Sequence, residues 1–498
     1  MAATDAEEAG APERLTRRGE HLALVALTLP VLLISMDATI LGFAVPHLSE
    51  ALEPSSAELL WIVDTYSFVL SALLITMGNL GDRIGRRRLL LVGAGAFAAA
   101  SVAAAFAPTS LTLIGARALL GVAGATLMPS TLSLIRNIFV DDRRRQFAIS
   151  VWAMAFSVGA VVGPVVGGVL LERYWYGSVF LLSVPVTLAL LLAGPVLVPE
   201  SKDPTPGPFD IPSSLLSMAT ILPLVFGMKL VAEDGWSPLV LPALVVGALS
   251  GRAFARRQRR SASPMIDLDL FRVRDFRVAI SGNLLVCVGF AGQSFLVTQY
   301  LQLVLDLSAT RAALQLLPSA ALGVITTLAA PAMMRRWGPF LVISSGLFVG
   351  AGGFLSLVFV ATDSSLVPVT VALCLIQAGL CAAVTVAIDG IIASVPPAKA
   401  GAGASVSETG AELGVALGTA VLGSIMTAVY RSRLDGSGVA EEAKETLGAA
   451  HELGDAAVRA LADAAFVDGL RVAAVVAAVL LAAVGVASAR LVRGEERN

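Results

Sequence analysis

The stretch GNLGDRIGRRRLL, residues Gly78 to Leu90, joins two apolar runs of the chain through a short and strongly basic loop. The runs on either side, residues 59–79 and 88–107, each match the roughly 20 residues that a helix needs to cross the hydrocarbon core of a membrane. Arginines beside such a run are typical of a cytoplasmic anchor. Anchoring explains the arginines but not the close spacing of glycines around Asp82, so the loop also predicts a tight turn.

Outside this loop the chain is apolar almost throughout. Of its 498 residues, 56% are hydrophobic and 14% are charged, whereas a soluble domain carries roughly 25% charged residues. The mean hydropathy is +0.82. These values predict an all-α integral membrane protein. We expect about fourteen spans, at 21–44, 59–79, 88–107, 110–135, 146–171, 175–198, 211–231, 238–254, 276–305, 311–334, 339–361, 366–394, 404–430 and 470–492.

The basic residues predict the orientation of the chain in the cell membrane. Most Lys and Arg residues lie in alternate loops and in the tails, which places those loops and both termini in the cytoplasm. The longest polar stretch, 431–469, is then extracellular, and its Ala, Glu and Leu content predicts one or two short helices. The predicted domains are a cytoplasmic tail 1–20, a six-helix bundle 21–198, two additional helices with linkers 199–275, a second six-helix bundle 276–492 and a cytoplasmic tail 493–498.

A weak internal repeat supports two six-span halves. The loop after the second span, GNLGDRIGRRRLLLVGAG, has a counterpart after the tenth span, APAMMRRWGPFLVISSG. Glycines at four-residue spacing occur in the fifth span, from Gly159, and again in the thirteenth, from Gly410. Both pairs are eight spans apart, as expected for two six-span halves separated by an extra pair, and repeated halves are common in secondary transporters.

Charged residues inside the spans are the first candidates for function, because burying a charge at this depth costs at least about 2.5 kcal/mol. Asp37, Asp64 and Arg117 lie in the first, second and fourth spans. Counted at 1.5 Å per residue, all three are roughly 7 to 12 Å below the outer boundary, so one layer would hold them together. The alternative is that they form an ion pair that only holds helices together.

The second half has acidic residues nearer the inner boundary. Asp389 is near the inner end of the twelfth span, and Glu408 and Glu412 are one turn apart on one face of the thirteenth. Acidic residues at two depths suit a protein that handles protons or cations from both sides. Asp389 and Glu408 have a second interpretation, in which they are solvated at the boundary.

Trp61 and Tyr66 would line a cavity and attract a delocalised cation, or they would serve only in packing. The sequence contains no GxxxxGK[ST] motif for ATP, and its three histidines are too dispersed for a zinc or haem site. Its three cysteines all lie in apolar runs. We therefore expect no enzymatic activity, no cofactor, no metal and no nucleic-acid partner, and a monomer in contact with membrane lipids.

Four motifs, in this order, carry a resemblance to a known family. They are MDATILGFAVP, GNLGDRIGRRRLL, RALLGVAGA and GAVVGPVVGG. The chain resembles the fourteen-span drug:proton antiporter branch of the major facilitator superfamily. That resemblance implies a 6+2+6 arrangement of helices and alternating access, driven by the proton gradient.

The resemblance also implies roles for individual residues. Asp37 and Arg117 match the proton-coupling pair, and Asp64 matches the acid beside the substrate path. Glu408 and Glu412 match the acidic pair of cation exporters. The loop that latches the inner gate corresponds to Gly78, Gly81, Asp82, Arg83, Gly85, Arg86 and Arg87. The flexible antiporter helix corresponds to Gly159, Gly163, Pro164, Gly167 and Gly168. Some relatives carry an acid midway along the tenth span, where LLPSAALGVIT has none, so the resemblance favours monovalent cations.

The expected function is export of lipophilic or cationic drugs, dyes and biocides in exchange for protons. Two alternatives stay open at the level of sequence. One is a dedicated exporter of a single antibiotic or natural product. The other is a lipid-handling or sensor protein on the same scaffold without proton coupling.

Overall fold

The computed structural model describes residues 16–54, 56–203, 209–233, 237–261, 264–307, 309–362, 365–435, 437–445, 447–453 and 455–495. Within these ranges the chain is helical and contains no strand. It divides into two compact units, one of residues 1–209 with 395–405 and the other of residues 210–394 with 406–498. The predicted tail 1–20 is described only from residue 16 and the tail 493–498 only to residue 495, and the three-part division of the chain stays a prediction.

Unit 1 contains six long apolar helices. The apolar side chains suit the hydrocarbon core of a membrane, and the helical conformation satisfies the backbone polar groups internally. The helices are α1 (Arg17–Leu52), α2 (Ser56–Ile84), α3 (Arg86–Ala105), α4 (Ser110–Ile138), α5 (Asp142–Arg173) and α6 (Ser178–Leu197). The helix bounds have local causes. The φ of Gly85 is +109° where α2 turns into α3. At the start of α4, Thr109 Oγ1 accepts from the backbone N–H of Thr112, and Thr112 Oγ1 accepts from the backbone N–H of Thr109.

Unit 2 holds the remaining helices, and its first two are an extra hairpin. The elements are α7 (Ile211–Glu233), α8 (Val240–Arg260), α9 (Arg274–Gln299), α10 (Ala309–Trp337), α11 (Pro339–Ser356), α12 (Leu366–Ala393), α13 (Ala400–Leu434), α14 (Glu441–Glu445), α15 (Leu447–Glu452) and α16 (Ala456–Glu495). A 3-10 turn, Leu268–Arg272, precedes α9, and a π-helical turn, Tyr300–Val304, ends it. The first residues of α13, up to Ser405, belong to unit 1.

The packing inside the two units follows one scheme. In unit 1, α2 and α3 pack on α4, α1 packs on α5, and α6 packs on α3 and α1. In unit 2, α10 and α11 pack on α12, α9 packs on α13, and α16 packs on α11 and α9. The helices α9 to α13 and α16 thus repeat the packing of α1 to α6, which agrees with the offset of eight spans in the sequence.

Thirteen helices among the described residues are long and apolar enough to cross a membrane. The eighth predicted span is also a helix, α8, but arginines fill its last turns and make it less apolar than the others. Together they give the fourteen helices that the hydropathy predicts. The polar stretch 431–469 contains α14 and α15, as expected, and Ala443 and Leu447 in these short helices are buried in the core of unit 2.

Candidate functional site

Asp37 on α1 and Arg117 on α4 form a short ion pair inside unit 1. The Arg117 Nη1 to Asp37 Oδ2 distance is 2.6 Å, and the side chains are 2% and 15% exposed, respectively. Depth along the sequence placed the two residues in one layer, and the structure brings them into contact. A charge-assisted bond of this length, largely out of water, is much stronger than a surface ion pair.

The guanidinium of Arg117 also holds α2. Its Nε donates to the carbonyl oxygen of Ile62 at 3.1 Å, and its Nη2 to that of Val63 at 3.4 Å. The same group lies 4.7 Å from the centre of the Tyr66 ring, at cation–π distance. Arg117 therefore joins three helices at one level, and Asp37 supplies the anion.

Asp64 and Tyr66 lie just after Ile62 and Val63 on α2, and both are buried, at 5% and 3% exposure. Trp61 directly precedes Ile62 on the same helix and is 44% exposed. Its ring makes an edge contact with the Phe68 ring, with 6.0 Å between the ring centres. The predicted substrate-path residues of unit 1 thus lie within one and a half turns of α2. They share the level of the Asp37–Arg117 pair.

The glycines of α5 pack against the face of α1 next to Asp37, in a contact that we call the first seam. A Cβ on Gly159 would lie 2.6 Å from the carbonyl oxygen of Leu32, and one on Gly163 would lie 2.4 Å from Thr39 Oγ1. A Cβ on Gly167 would lie 2.9 Å from Ile40 Cγ2. These three glycines are required by close approach. Gly168 faces open space, and the side chain of Pro164 lies outside the described residues.

A matching contact, the second seam, joins α13 to α9 in unit 2. A Cβ on Gly414 would lie 2.4 Å from the carbonyl oxygen of Leu284 and 2.8 Å from Cys287 Cβ. A Cβ on Gly418 would lie 2.5 Å from the carbonyl oxygen of Val288. Glycine spacing predicted the relation between α5 and α13, and the structure shows that both helices use it in the same way.

The acids of unit 2 lie beside the second seam. Glu408 is 9% exposed and Glu412 is half-buried, one turn further along α13. Asp389 on α12 is 6% exposed, so it is buried and the interpretation as a solvated boundary residue is wrong. Asn283 on α9 donates from Nδ2 to the carbonyl oxygen of Ser407 at 2.8 Å and braces the turn that carries Glu408.

Two residues near these acids were not singled out in the sequence. Lys229 on α7 lies within electrostatic range of Glu412, and Cys287 on α9 lies within range of both glutamates. The Ser424 hydroxyl reaches the carbonyl oxygen of Val231 at 3.5 Å, which also joins α13 to α7. Lys229 could have been noted from the sequence as the one lysine inside a predicted span.

The loop between α2 and α3 is held by contacts within unit 1. Asp82 accepts from Arg86 Nη2 at 2.6 Å and from the backbone N–H groups of Gly401 and Ala402 at 2.9 and 3.1 Å. Those N–H groups are in the first turn of α13, so the carboxylate faces the positive end of that helix. Arg86, 1% exposed, donates onward to the carbonyl oxygens of Pro397 and Ala398.

Close contacts explain why this loop contains several glycines. A Cβ on Gly78 would lie 2.5 Å from the carbonyl oxygen of Gly401, and one on Gly85 would lie 2.7 Å from the Glu200 carboxylate. Glu200 accepts from the backbone N–H of Arg87 at 3.0 Å. Gly81 packs against Leu89, and Arg83 lies 5.7 Å from the centre of the Phe209 ring. Of the predicted gate-loop residues, Gly78, Asp82 and Arg86 thus contact residues 397–405, and the others contact residues elsewhere in unit 1.

Comparison with known proteins gives a consistent result. The family model described as Major Facilitator Superfamily matches residues 27–419. Multidrug efflux pump LfrA of Mycolicibacterium smegmatis is 48% identical over 94% of this chain and 96% of its own length. Methyl viologen resistance protein SmvA of Salmonella typhimurium is 33% identical over 83% and 84%. A crystal structure of the human organic anion transporter MFSD10 superposes with a TM-score of 0.61 at 15% identity, covering 95% of this chain and 100% of that one, and shows the same fold.

Proposed function

The chain belongs to the Major Facilitator Superfamily, and from that membership we propose that it is a multidrug exporter that exchanges protons for lipophilic or cationic compounds. It is a multi-pass membrane protein, and its relatives are transporters of small molecules. The observation that carries the proposal is the Asp37–Arg117 ion pair, because a carboxylate buried beside a fixed arginine can exchange its positive partner for a proton.

Competition for this carboxylate gives the coupling. Charged Asp37 draws Arg117 toward α1, and it also favours a cation near Asp64 and Tyr66, at the same level. A proton that arrives from outside neutralises Asp37 and removes that attraction, so the cation leaves. Arg117 is then held by the carbonyl oxygens of Ile62 and Val63 and by the Tyr66 ring.

The second seam supplies the inner half of the path in this proposal. Glu408, Glu412 and Asp389 attract a cation entering from the cytoplasm. The ammonium group of Lys229 also interacts with Glu412, so the cation competes with Lys229 for this carboxylate. The two seams allow the helices that carry the acids, α1 and α13, to slide against α5 and α9, respectively. The loop of Asp82 and Arg86 latches the first turn of α13 in one of the alternating states.

The proton gradient is a sufficient source of free energy. A proton moving inward gains about 2.3 kcal/mol per 100 mV and about 1.4 kcal/mol per pH unit. Tenfold accumulation of a neutral load costs about 1.4 kcal/mol. A monovalent cation moves against the voltage and needs more than one proton for net electrical drive, which the number of acids in the two units permits.

The same proposal covers location and assembly. In this proposal, by the positive-inside rule, both termini and the Asp82 loop are cytoplasmic, α14 and α15 are extracellular, and the protein lies in the cell membrane. We propose a monomer, because each unit already contains its own acids and packing glycines.

Transport in everted vesicles tests the proposal. Ethidium uptake is followed by fluorescence while a pH-sensitive dye reports the gradient. Wild-type chain is expected to take up ethidium and to dissipate the gradient when ethidium is added. The Asp37→Asn chain is expected to do neither at equal expression, and Gly352→Ala, whose Cβ meets open space, serves as the active control.

Three results would reject parts of the proposal. Normal exchange by Asp37→Asn would remove the coupling role of this residue. Ethidium uptake without any change in the gradient would indicate a carrier on the same scaffold without proton coupling. Resistance of cells to one compound, with no effect on dyes or quaternary ammonium biocides, would favour a dedicated exporter.

A further inference from the structure

The extra hairpin of α7 and α8 has no counterpart in the repeat, and one face of α8 has an unusual composition. Leu241, Val245 and Leu249 follow at four-residue spacing and are 64%, 45% and 62% exposed. The same face continues through Arg252, Arg256 and the pair Arg259 and Arg260, all exposed. Spacings of three and four residues keep these positions on one side of the helix. We call this line of residues the α8 stripe.

The opposite face of α8 is committed to α7. A Cβ on Gly247 would lie 2.6 Å from Leu224 Cγ, and one on Gly251 would lie 3.1 Å from Thr220 Cγ2. Near the end of the helix, the buried Gln258 donates from Nε2 to Ser213 Oγ at 2.8 Å. The hairpin is therefore tight along its whole length, and the α8 stripe points away from it.

The arginines of the stripe keep their charge available. Within the residues that the structure describes, Arg252, Arg256, Arg259 and Arg260 form no ion pair. Nearby acids have other partners: Asp210 binds Arg257 at 2.8 Å, and Asp269 binds Arg272 at 3.1 Å. Four guanidinium groups thus face outward without a protein anion.

The chain that follows α8 is folded back rather than loose, which fixes this end of the helix. Gln258 Oε1 accepts from the backbone N–H groups of Met265 and Ile266 at 2.7 and 3.3 Å. Both of those side chains are buried. After them, Phe271 and Val273 are 39% and 46% exposed beside the basic residues.

An exposed line that is apolar and then basic matches the profile of one lipid leaflet. The apolar part suits acyl chains, and Arg256 to Arg260 extend about 6 Å along the axis, close to the roughly 5 to 8 Å of one headgroup region. Arg252, one turn deeper, reaches the same region by extending its side chain. Arginine binds phosphate through two parallel hydrogen bonds, so anionic headgroups complement the stripe in charge and geometry.

We propose that the α8 stripe is a binding site for anionic phospholipid, with the acyl chains along Leu241, Val245 and Leu249 and the headgroup phosphates on the four arginines. The extra hairpin thereby anchors unit 2 to negatively charged lipid. This site is separate from the acids proposed for transport, and it does not depend on the transport cycle.

Lipid binding to the purified full-length chain tests the site directly. Native mass spectrometry counts phosphatidylglycerol and phosphatidylcholine retained from equal mixtures. Wild-type chain is expected to prefer phosphatidylglycerol. The triple variant Arg256→Gln, Arg259→Gln, Arg260→Gln is expected to lose about a hundredfold in apparent affinity for it, since each basic residue near an anionic surface contributes about fivefold.

A matched variant separates a site from general positive charge. Arg143→Gln, Arg335→Gln, Arg336→Gln removes three exposed arginines from other loops and is expected to keep the preference for phosphatidylglycerol. Equal losses in both variants, or no loss in the α8 variant, would overturn the proposal. If the α8 variant does not purify as a monodisperse protein, the wild-type chain is measured instead at low salt and in about 1 M salt. Its preference for phosphatidylglycerol should vanish in about 1 M salt, because charges are then screened within about 3 Å. A preference unaffected by salt would overturn the proposal.

Discussion

The first and second seams have the same backbone geometry but carry their acids differently. Gly159 packs on Leu32 and Ser35 of α1 in the way that Gly414 packs on Leu284 and Cys287 of α9. In this alignment, Gly289 of α9 occupies the position equivalent to Asp37 of α1. It also puts Ser157 where unit 2 has Glu412. The acid therefore lies on the first helix of the repeat in unit 1 and on the fifth helix in unit 2.

The difference extends to the partners of the acids. Asp37 is held by Arg117 at 2.6 Å, whereas Glu408 and Glu412 form no ion pair within 4 Å among the described residues. In the proposed function, an acid with a fixed arginine partner responds only to the gain or loss of a proton. An acid without a close cation is free to accept different ones. Under the proposed function, two halves with one packing scheme divide proton coupling and cation binding between them.

The largest expected effect tests the fixed pair. Arg117→Met leaves Asp37 buried without a cation and is expected to lower the free energy of unfolding by about 3 to 5 kcal/mol and to abolish transport. Adding Asp37→Asn removes the stranded charge, so stability should return while transport should not. Denaturant unfolding in detergent and ethidium transport are the measurements. A double variant as unstable as the single one would contradict the role of the ion pair.

The next effect tests whether the seams are equivalent. Gly159→Ala and Gly414→Ala, at equivalent positions of the two seams, place a Cβ 2.6 and 2.4 Å from the carbonyl oxygens of Leu32 and Leu284 and are expected to cost about 1 to 3 kcal/mol in unfolding free energy. Both should slow ethidium export. Gly168→Ala and Gly352→Ala, where a Cβ meets nothing within 4 Å, are the controls. A loss in only one of the two seam variants would break the comparison.

A smaller effect separates the acids of unit 2 from Asp37. Glu412→Gln is expected to lower transport of a monovalent cation about tenfold, corresponding to about 1.4 kcal/mol, with little change for an uncharged substrate. Stability should not fall, because no ion pair is lost. Export rates of ethidium and of a neutral dye in the same vesicles give the ratio. Equal losses for both substrates would place Glu412 with Asp37 in coupling.

The smallest effect comes from an ion pair outside both seams. Hydrogen bonds from Arg257 lower the pKa of Asp210 to about 2, below the unfolded value of about 3.9. The stabilisation is therefore complete above about pH 4 and is lost as the pH falls through 2. Because Arg257 is 45% exposed, Asp210→Asn should cost less than about 1 kcal/mol at neutral pH.

Transport by the Asp210→Asn chain should equal that of the wild type, because this pair lies away from the acids of both seams. The unfolding free energies of the two chains should differ clearly at pH 7 and much less near pH 2, where the Asp210 carboxyl of the folded chain is half protonated. A transport defect in this variant would show that ion pairs matter for export wherever they lie, and the comparison of the seams would lose its meaning.

Sequence reasoning was strongest where depth or spacing limits the geometry. Depth placed Asp37 and Arg117 together because helices in a membrane run in register with its boundaries. Four-residue glycine spacing predicted both seams for a similar reason. The hydropathy pattern gave fourteen helices, and the motif order gave the family. These signals are local or periodic, so a single sequence contains them.

Contacts between distant segments carried no such signal. Nothing in GDRIGRRR indicates that Asp82 accepts from Gly401, or that Glu200 binds the start of α3. The approach of Lys229 to Glu412 depends on where α7 packs, which hydropathy does not determine. The burial of Asp389 depends on its rotation about the axis of α12, and depth alone left both a buried and a solvated environment open.

Arg117 binds α2 through the carbonyl oxygens of residues 62 and 63 rather than through their side chains. Every amino acid supplies such an oxygen, so this contact survives substitution at either position. Val63, with 37% of its surface exposed, is therefore free to vary among descendants of this chain without disturbing the ion pair. In evolutionary terms, the exposed side of α2 can diversify in sequence while the ion pair that we propose for proton coupling stays unchanged.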